Sequence, residues 1–278
     1  MRRSFNVLLV LLLVGASDAV ACPHRGGLPD LNCDGAAKVA VVGDSVVYGR
    51  GDAAHGDQGG YVLRTAQRFS SATFYNHGVP GKEAGLLVRD LSAAFDGTGD
   101  TTLADDLKSS DVVFLDIGRN DWWTKTTPLA TWRNLKRCRE IIQARVLAAT
   151  GHKPLVITAQ MVLANRTGQG VWVKELDTII GQKGTALAPA DLRFDLVSKK
   201  LLVDAVHPSS AGYDAAAKIF IQYLRVLYPQ HAAVFRKDAD HDGLYDEFEQ
   251  EKYGTDPVDP DTDDDGILDG LDSTPTGT

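Results

Sequence analysis

The sequence predicts an α/β protein with a parallel sheet covered on both faces, followed by a small, unlike C-terminal module. Three observations carry this. Runs such as KVAVVG (38–43) and DVVFLDIG (111–118) are β-branched and apolar at nearly every position, the mark of strands buried on both faces. Between such runs lie segments with apolar residues at helical spacing, and strands alternating with helices build crossover units. Charge then changes abruptly: from Asp238 onward there are 15 acidic residues and one lysine, a charge of −14 against −8 for the whole chain, which leaves +6 for the rest.

The N-terminal 21 residues read as a secretory signal: Arg2 and Arg3, an apolar core VLLVLLLVG, and the small residues Ala19–Ala21 as a cleavage site. That core is too short to span a bilayer comfortably, and no later segment is apolar enough to do so. Residues 22–36 follow as an N-terminal segment bounded by Cys22 and Cys33. In an exported chain these cysteines can close a small loop, or Cys22 can carry a lipid, although Ala19 stands where a lipoprotein signal usually has leucine. The two alternatives stay open.

Residues 37–230 hold the alternation. KVAVVG is the first strand, YVLRTAQRFS a helix, ATFYNHG a strand and KEAGLLVRDLSAAF a helix. DVVFLDIG is the next strand, with a helix from Ala130 to Thr150 after it. KPLVITAQM, VWVKELDTIIGQK, LRFDLV and SAGYDAAAKIFIQYLRVLY read as strand, helix, strand and helix. Trp132, Leu135, Cys138, Ile142 and Val146 recur at helical spacing, so Cys138 is expected to be a buried free thiol. Residues 231–237 are a linker and 238–278 the acidic module, whose charge argues against nucleic acid as a partner.

Ligands of open parallel sheets sit beyond the carboxyl ends of the strands. Three polar, glycine-bearing loops fall there: the one with Ser45, the one after NHG (76–78), and GRND (118–121). Ser45 is a candidate nucleophile at the edge of the sheet. Such a serine needs a base, an orienting acid and donors for an oxyanion. His207 has Asp204 three residues earlier, a spacing that in a turn brings the carboxylate to one ring nitrogen and leaves the other free. The backbone N–H of Ser45, the backbone N–H of Gly78 and the side-chain amide of Asn120 are the candidate donors. Trp122 and Trp123 directly follow GRND and either stack on a bound ligand or pack beneath the loop, while His55, Asp57 and His77 read as solvent-facing loop residues.

Taken together, GDSVVYG, NHGVPG, GRND and DAVHP, in that order, resemble the four sequence blocks of the SGNH hydrolase superfamily, the GDSL-type esterases, over residues 37–230. The resemblance implies a flavodoxin-like three-layer α/β/α sandwich and a serine hydrolase acting on carboxylic esters. It assigns Ser45 as nucleophile, Gly78 and Asn120 to the oxyanion hole, and His207 as the base beside Asp204, with no cofactor for catalysis. Arg119 stands in the third block where many members have a small residue.

In the acidic module, Asp238, Asp240, Asp242, Asp246 and Glu249, with Gly243, have the oxygen-ligand spacing of a calcium loop. The pattern repeats 23 residues later with Asp261, Asp263, Asp265, Asp269 and Asp272 around Gly266. The phrasing YGTDPVDPDTDDDGILD resembles bacterial thrombospondin type 3 repeats, which implies structural Ca²⁺ in a spacer or surface module.

The expectation is therefore a secreted, periplasmic or cell-surface serine esterase acting on acyl or acetyl groups carried by carbohydrate or lipid. A calcium-dependent adhesion protein with a secondary hydrolase-like domain is the alternative. A dockerin-like assembly tag is disfavoured, because no helix-forming segment follows the second loop.

Overall fold

The computed structural model describes residues 28, 30, 32, 34–69, 71–160, 167–183, 190–191, 200–226, 240, 254–264, 269 and 275–277. The signal reading, Cys22, Cys33, the strand expected at 192–197 and the linker lie outside the described residues.

Among the described residues five strands run in parallel: β1 (Lys38–Gly43), β2 (Thr73–Gly78), β3 (Val112–Asp116), β4 (Leu155–Gln160) and the two-residue β5 (Ala190–Asp191). Their spatial order is β2-β1-β3-β4-β5, the doubly wound order in which the chain reverses direction across the sheet between β1 and β3. The buried strands are apolar over most of their length because both their faces are covered, with polar residues such as Asp116 at their ends. Val39 and Val41 point into one core with Phe114 and Ile157, while Ala40 and Val42 point into the other with Val113 and Leu115. Edge strand β2 is partly exposed along its length, which is why it tolerates Thr73, Asn76 and His77.

Helices α2 (Gly60–Arg68) and α7 (Ser210–Val226) cover the first core, where Phe220 meets Phe114 edge-on at 4.6 Å and Tyr61 at 5.2 Å. Helices α3 (Ala84–Phe95), α4 (Thr101–Ser109), α5 (Pro128–Thr150) and α6 (Gln169–Lys183) cover the second. Helix α5 starts two residues before its expected start, because the Thr127 hydroxyl accepts from the Ala130 N–H and Pro128 suits the first helical turn. Cys138 on this helix is buried and free, and burial pushes its thiol up to about 12.

Two helices were not anticipated. Helix α4 follows Asp100, whose carboxylate caps it by accepting from the Leu103 N–H at 3.2 Å. Helix α1 (Ser45–Tyr48) is a single turn directly after β1. The domain also reaches back before residue 37. Leu28 is fully buried in the first core, and the Asn32 N–H donates to Asp111 Oδ1 at 3.0 Å.

Of the expected calcium ligands, Asp240, Asp261, Asp263 and Asp269 are among the described residues, while Asp238, Asp242, Asp246, Glu249, Asp265 and Asp272 are not. Asp269 is buried, and its carboxylate accepts from the Thr262 N–H at 2.9 Å and the Thr262 hydroxyl at 2.6 Å. Among the described residues no group of three or more acidic, His or Cys side chains converges as a metal site. No helix among them is long and apolar enough to cross a membrane.

Candidate active site

Strand β1 ends at Gly43. Asp44 then leaves the sheet in extended geometry and caps α1, accepting from the Val46 N–H at 2.9 Å. Ser45 thereby opens a helix at the strand's carboxyl end, beside the β1/β3 reversal. Its backbone N–H belongs to a first turn that has no intrahelical acceptors. Strand β3 ends on the other side of that crevice and runs through Gly118 into a 3₁₀ turn, Arg119–Trp122, which carries Asn120.

The third contributor is the loop before α7. Antiparallel contacts tighten it, with the Val203 N–H donating to His207 O at 2.9 Å and the Ser209 N–H to Leu201 O at 2.7 Å. Asp204 folds the loop around its own carboxylate: Oδ1 accepts from the Val206 N–H at 2.7 Å and the His207 N–H at 2.8 Å. Its Oδ2 lies 2.7 Å from His207 Nδ1, and His207 Nε2 lies 2.9 Å from Ser45 Oγ. Partial burial opposes ionisation of Asp204, but the bonds from the His207 ring and the two loop amides outweigh it and hold the carboxyl down at about 2. Asp204 is therefore a carboxylate throughout the neutral range, and Nδ1 carries the hydrogen that points at it. Nε2 is left to accept from the serine hydroxyl.

Ser45, Asn120 and His207 line one cavity of about 160 Å³ together with Arg50, Gly81, Arg119, Trp123, Gln169 and Val206. The Asn120 amide is oriented by donating one N–H to Lys82 O at 3.0 Å, which leaves its second N–H available.

Gly78 is a correction: it does not line this cavity. Its N–H donates to Asn76 Oδ1 at 3.0 Å and so is not available to a ligand. Glycine is required there for packing, since a Cβ at residue 78 would lie 2.1 Å from the Tyr48 nitrogen. The glycine that reaches the cavity is Gly81, the second of NHGVPG, at φ +78° with open space where a side chain would stand. The motif contained both glycines, but only the turn geometry separates the one that packs from the one that faces the cavity.

Arg119, which stands where many family members have a small residue, is an internal residue here. It is 2% exposed and stands between two buried carboxylates: Nη1 is 3.2 Å from Asp44 Oδ2 and Nη2 is 2.7 Å from Asp116 Oδ1. The Tyr61 hydroxyl donates to Asp116 Oδ2 at 2.9 Å. Burial pushes the Asp44 carboxyl up, against the pull of the guanidinium. The arginine is held charged, because Asp116 and Asp44 outweigh its own desolvation. This network ties the residue before Ser45 to the residue before Asn120. Gln169, buried at the start of α6, adds a bond from Nε2 to Arg119 O at 3.1 Å; no pattern in the sequence singles it out.

Asp121 completes the turn. Its carboxylate accepts from the Ala84 N–H at the start of α3 (2.9 Å) and the Thr131 hydroxyl of α5 (3.2 Å), and burial raises it to about 6. Trp123 is 56% exposed and lines the cavity, while Trp122 packs edge-on against it at 4.9 Å. The other loop residues have structural partners. His55 Nδ1 lies 3.1 Å from Asp52, His77 Nε2 lies 2.9 Å from Asp106, and Asp57 accepts from the Gly51 N–H.

Similarity to known proteins agrees with this architecture. A member of the lipolytic G-D-S-L family from Veillonella parvula has a similar fold, at a TM-score of 0.52 and 19% identity over 67% of this chain and 97% of that one. Two further structures align less closely: the lipase Lip_vut3 from a goat rumen metagenome (TM-score 0.48, 18% identity, 66% of this chain, 95% of that one) and the acetylxylan esterase Axe2 from Geobacillus stearothermophilus (0.46, 22%, 68% and 94%). No curated protein sequence matches the chain. The profile of the GDSL-like lipase/acylhydrolase family matches residues 41–215, from inside β1 into α7 and across the segments that carry Ser45, Gly81, Asn120 and His207, and the chain belongs to that family.

Proposed function

We propose that the protein is a secreted serine esterase that hydrolyses short-chain carboxylic esters through an acyl-enzyme on Ser45. The observation that carries this reading is the aligned chain of two hydrogen bonds, Ser45 Oγ to His207 Nε2 at 2.9 Å and His207 Nδ1 to Asp204 at 2.7 Å. A serine hydroxyl becomes a useful nucleophile when a positioned base takes its proton as it attacks, and the carboxylate stabilises the imidazolium that forms.

Attack of Oγ on the ester carbon transfers the serine proton to Nε2 and moves the carbonyl π pair onto oxygen. The Ser45 N–H, the Gly81 N–H and the second Asn120 N–H are the donors for that oxyanion. Collapse re-forms the carbonyl and expels the alkoxide, which takes the proton from Nε2. Water then repeats the sequence on the acyl-serine and releases the acid. A cavity of about 160 Å³ is smaller than the roughly 300–1,000 Å³ of drug-sized pockets, which favours acetyl and other short acyl groups over long chains.

Export rests on the basic, apolar and small-residue order of the first 21 residues. The acidic repeats we assign to structural Ca²⁺ on the strength of their doubled oxygen-ligand spacing; Asp240, Asp261, Asp263 and Asp269 belong to that set among the described residues. Calcium titration of the full chain, read by calorimetry and circular dichroism, tests the assignment, and absence of calcium-dependent heat and structure refutes it.

The test of the esterase is hydrolysis of p-nitrophenyl acetate by the mature chain and by Ser45→Ala, with labelling of Ser45 by a serine-reactive phosphonate. Turnover and labelling in the parent, both lost in the folded variant, are expected. Substantial turnover in Ser45→Ala refutes the mechanism.

A further inference from the structure

We propose that the natural substrate carries an anionic group, a carboxylate or phosphate, on its alcohol portion close to the scissile ester, and that Arg50 binds it. The proposal rests on the esterase reading of Ser45 and His207 and names the class of substrate for that site.

Two arginines line the catalytic cavity, and they differ in how their charge is used. Arg119 is buried and committed to Asp44 and Asp116. Arg50 is exposed, and among the described residues no carboxylate pairs with it. The acidic groups around the site are already engaged: Asp204 by His207 and the loop amides, Asp57 by the Gly51 N–H, and Asp52 by Arg64 and His55. The nearby Lys82 is paired with Asp90.

The root of the Arg50 side chain is fixed. Its N–H donates to Ser45 O at 3.0 Å, and its carbonyl accepts from the Tyr213 hydroxyl at 2.8 Å. A rigidly rooted arginine at the wall of a catalytic cavity, whose donors no described carboxylate takes, is suited to a carboxylate or phosphate, which it can meet with two parallel hydrogen bonds.

The position of Arg50 selects the alcohol side. The backbone of residues 50–51 abuts the histidine loop: a Cβ at Gly51 would lie 2.6 Å from Pro208 O and 3.3 Å from His207 Cβ. His207 Nε2 protonates the departing alkoxide, so the alcohol stands beside that loop. Trp123, 56% exposed on the same cavity, presents an indole surface suited to the body of such an alcohol.

Three aryl acetates test this: 4-acetoxybenzoate, 4-acetoxyphenyl phosphate and the neutral methyl 4-acetoxybenzoate, each rate divided by its uncatalysed hydrolysis rate. The readout is the ratio of kcat/KM for each anionic ester to that for the neutral one, in the parent, Arg50→Gln, Arg50→Lys and Arg50→Glu. The expected parent ratio is at least about tenfold for one anion, carried mainly by KM and falling with added salt. Arg50→Gln brings it near one, Arg50→Glu below one, and Arg50→Lys leaves it intermediate. The arm with the larger ratio identifies the source, carboxylate for an acylated sugar acid and phosphate for a phosphorylated alcohol. A parent ratio near one for both anions, or one that survives Arg50→Gln, overturns the proposal while leaving the esterase intact. Failure to hydrolyse all three, and p-nitrophenyl acetate as well, overturns the esterase reading and this proposal with it.

Discussion

Arg119→Met removes the guanidinium that stands between Asp44 and Asp116 and leaves two carboxylates facing a nearly closed interior. Arginine and both acids are at most 2% exposed, so solvent cannot replace the lost charge. Breaking a buried ion pair by deleting one partner costs about 3–5 kcal/mol. For a domain of this size that corresponds to a fall in Tm of about 6–20 °C. Asp116 keeps the Tyr61 hydroxyl and Asp44 keeps the Val46 N–H, which sets the loss nearer the lower figure.

The deficit should depend on pH. The Asp44 carboxyl is already raised by burial in the parent, and without the guanidinium it rises further. A carboxyl raised in the folded state binds its proton more tightly there than in the unfolded chain. Stability therefore falls as pH climbs above the unfolded value near ~3.9. Guanidinium unfolding at pH 4.5 and 7.5 is the assay: a large deficit at 7.5 should shrink at 4.5, and Asp44→Asn added to Arg119→Met should recover part of it. A loss below about 1 kcal/mol at pH 7.5, or one equal at both pH values, refutes the reasoning.

Asn120→Ala should lower kcat by about 10²–10³ with little change in Tm, measured by steady-state kinetics and calorimetry, because it removes one oxyanion donor. Gly78→Ala should cost about 1–3 kcal/mol or more in chemical denaturation, since its Cβ meets the Tyr48 backbone. Gly81→Ala meets no atom at its Cβ, but the left-handed backbone at φ +78° should cost about 1–2 kcal/mol in chemical denaturation and lower turnover as the turn shifts. Asp204 is held at about 2, so its bonds contribute stability above pH 4 that is lost as pH falls toward 2. Asp204→Asn should flatten that acid transition in a pH-jump unfolding series and lower kcat by orders of magnitude through the wrong histidine tautomer.

Much of the architecture was legible because buried parallel strands leave a strong sequence signature. KVAVVG and DVVFLDIG are apolar on both faces, and the cores above and below the sheet draw alternately on their residues. Asp204 and His207 were legible as a pair because three residues in a turn suffice to bring them together. Helix α4 was hidden because its segment is polar and its start depends on one capping contact from Asp100. Helix α1 was hidden because four residues are too few to show a period.

By itself, the sequence determined the alternation of strands and helices, the four family blocks and the abrupt acidic C-terminus, since each is written in local composition and spacing. Tertiary structure alone decided which glycine faces the cavity, that Arg119 is an internal ion-pair partner, and that Gln169 and Arg50 line the cavity. These depend on contacts between residues distant along the chain: Gln169 with Arg119, Arg119 with Asp44, Gly78 against Tyr48. Local pattern carries backbone conformation, but burial and hydrogen-bond partnership exist only once the β1/β3 crevice has closed around them.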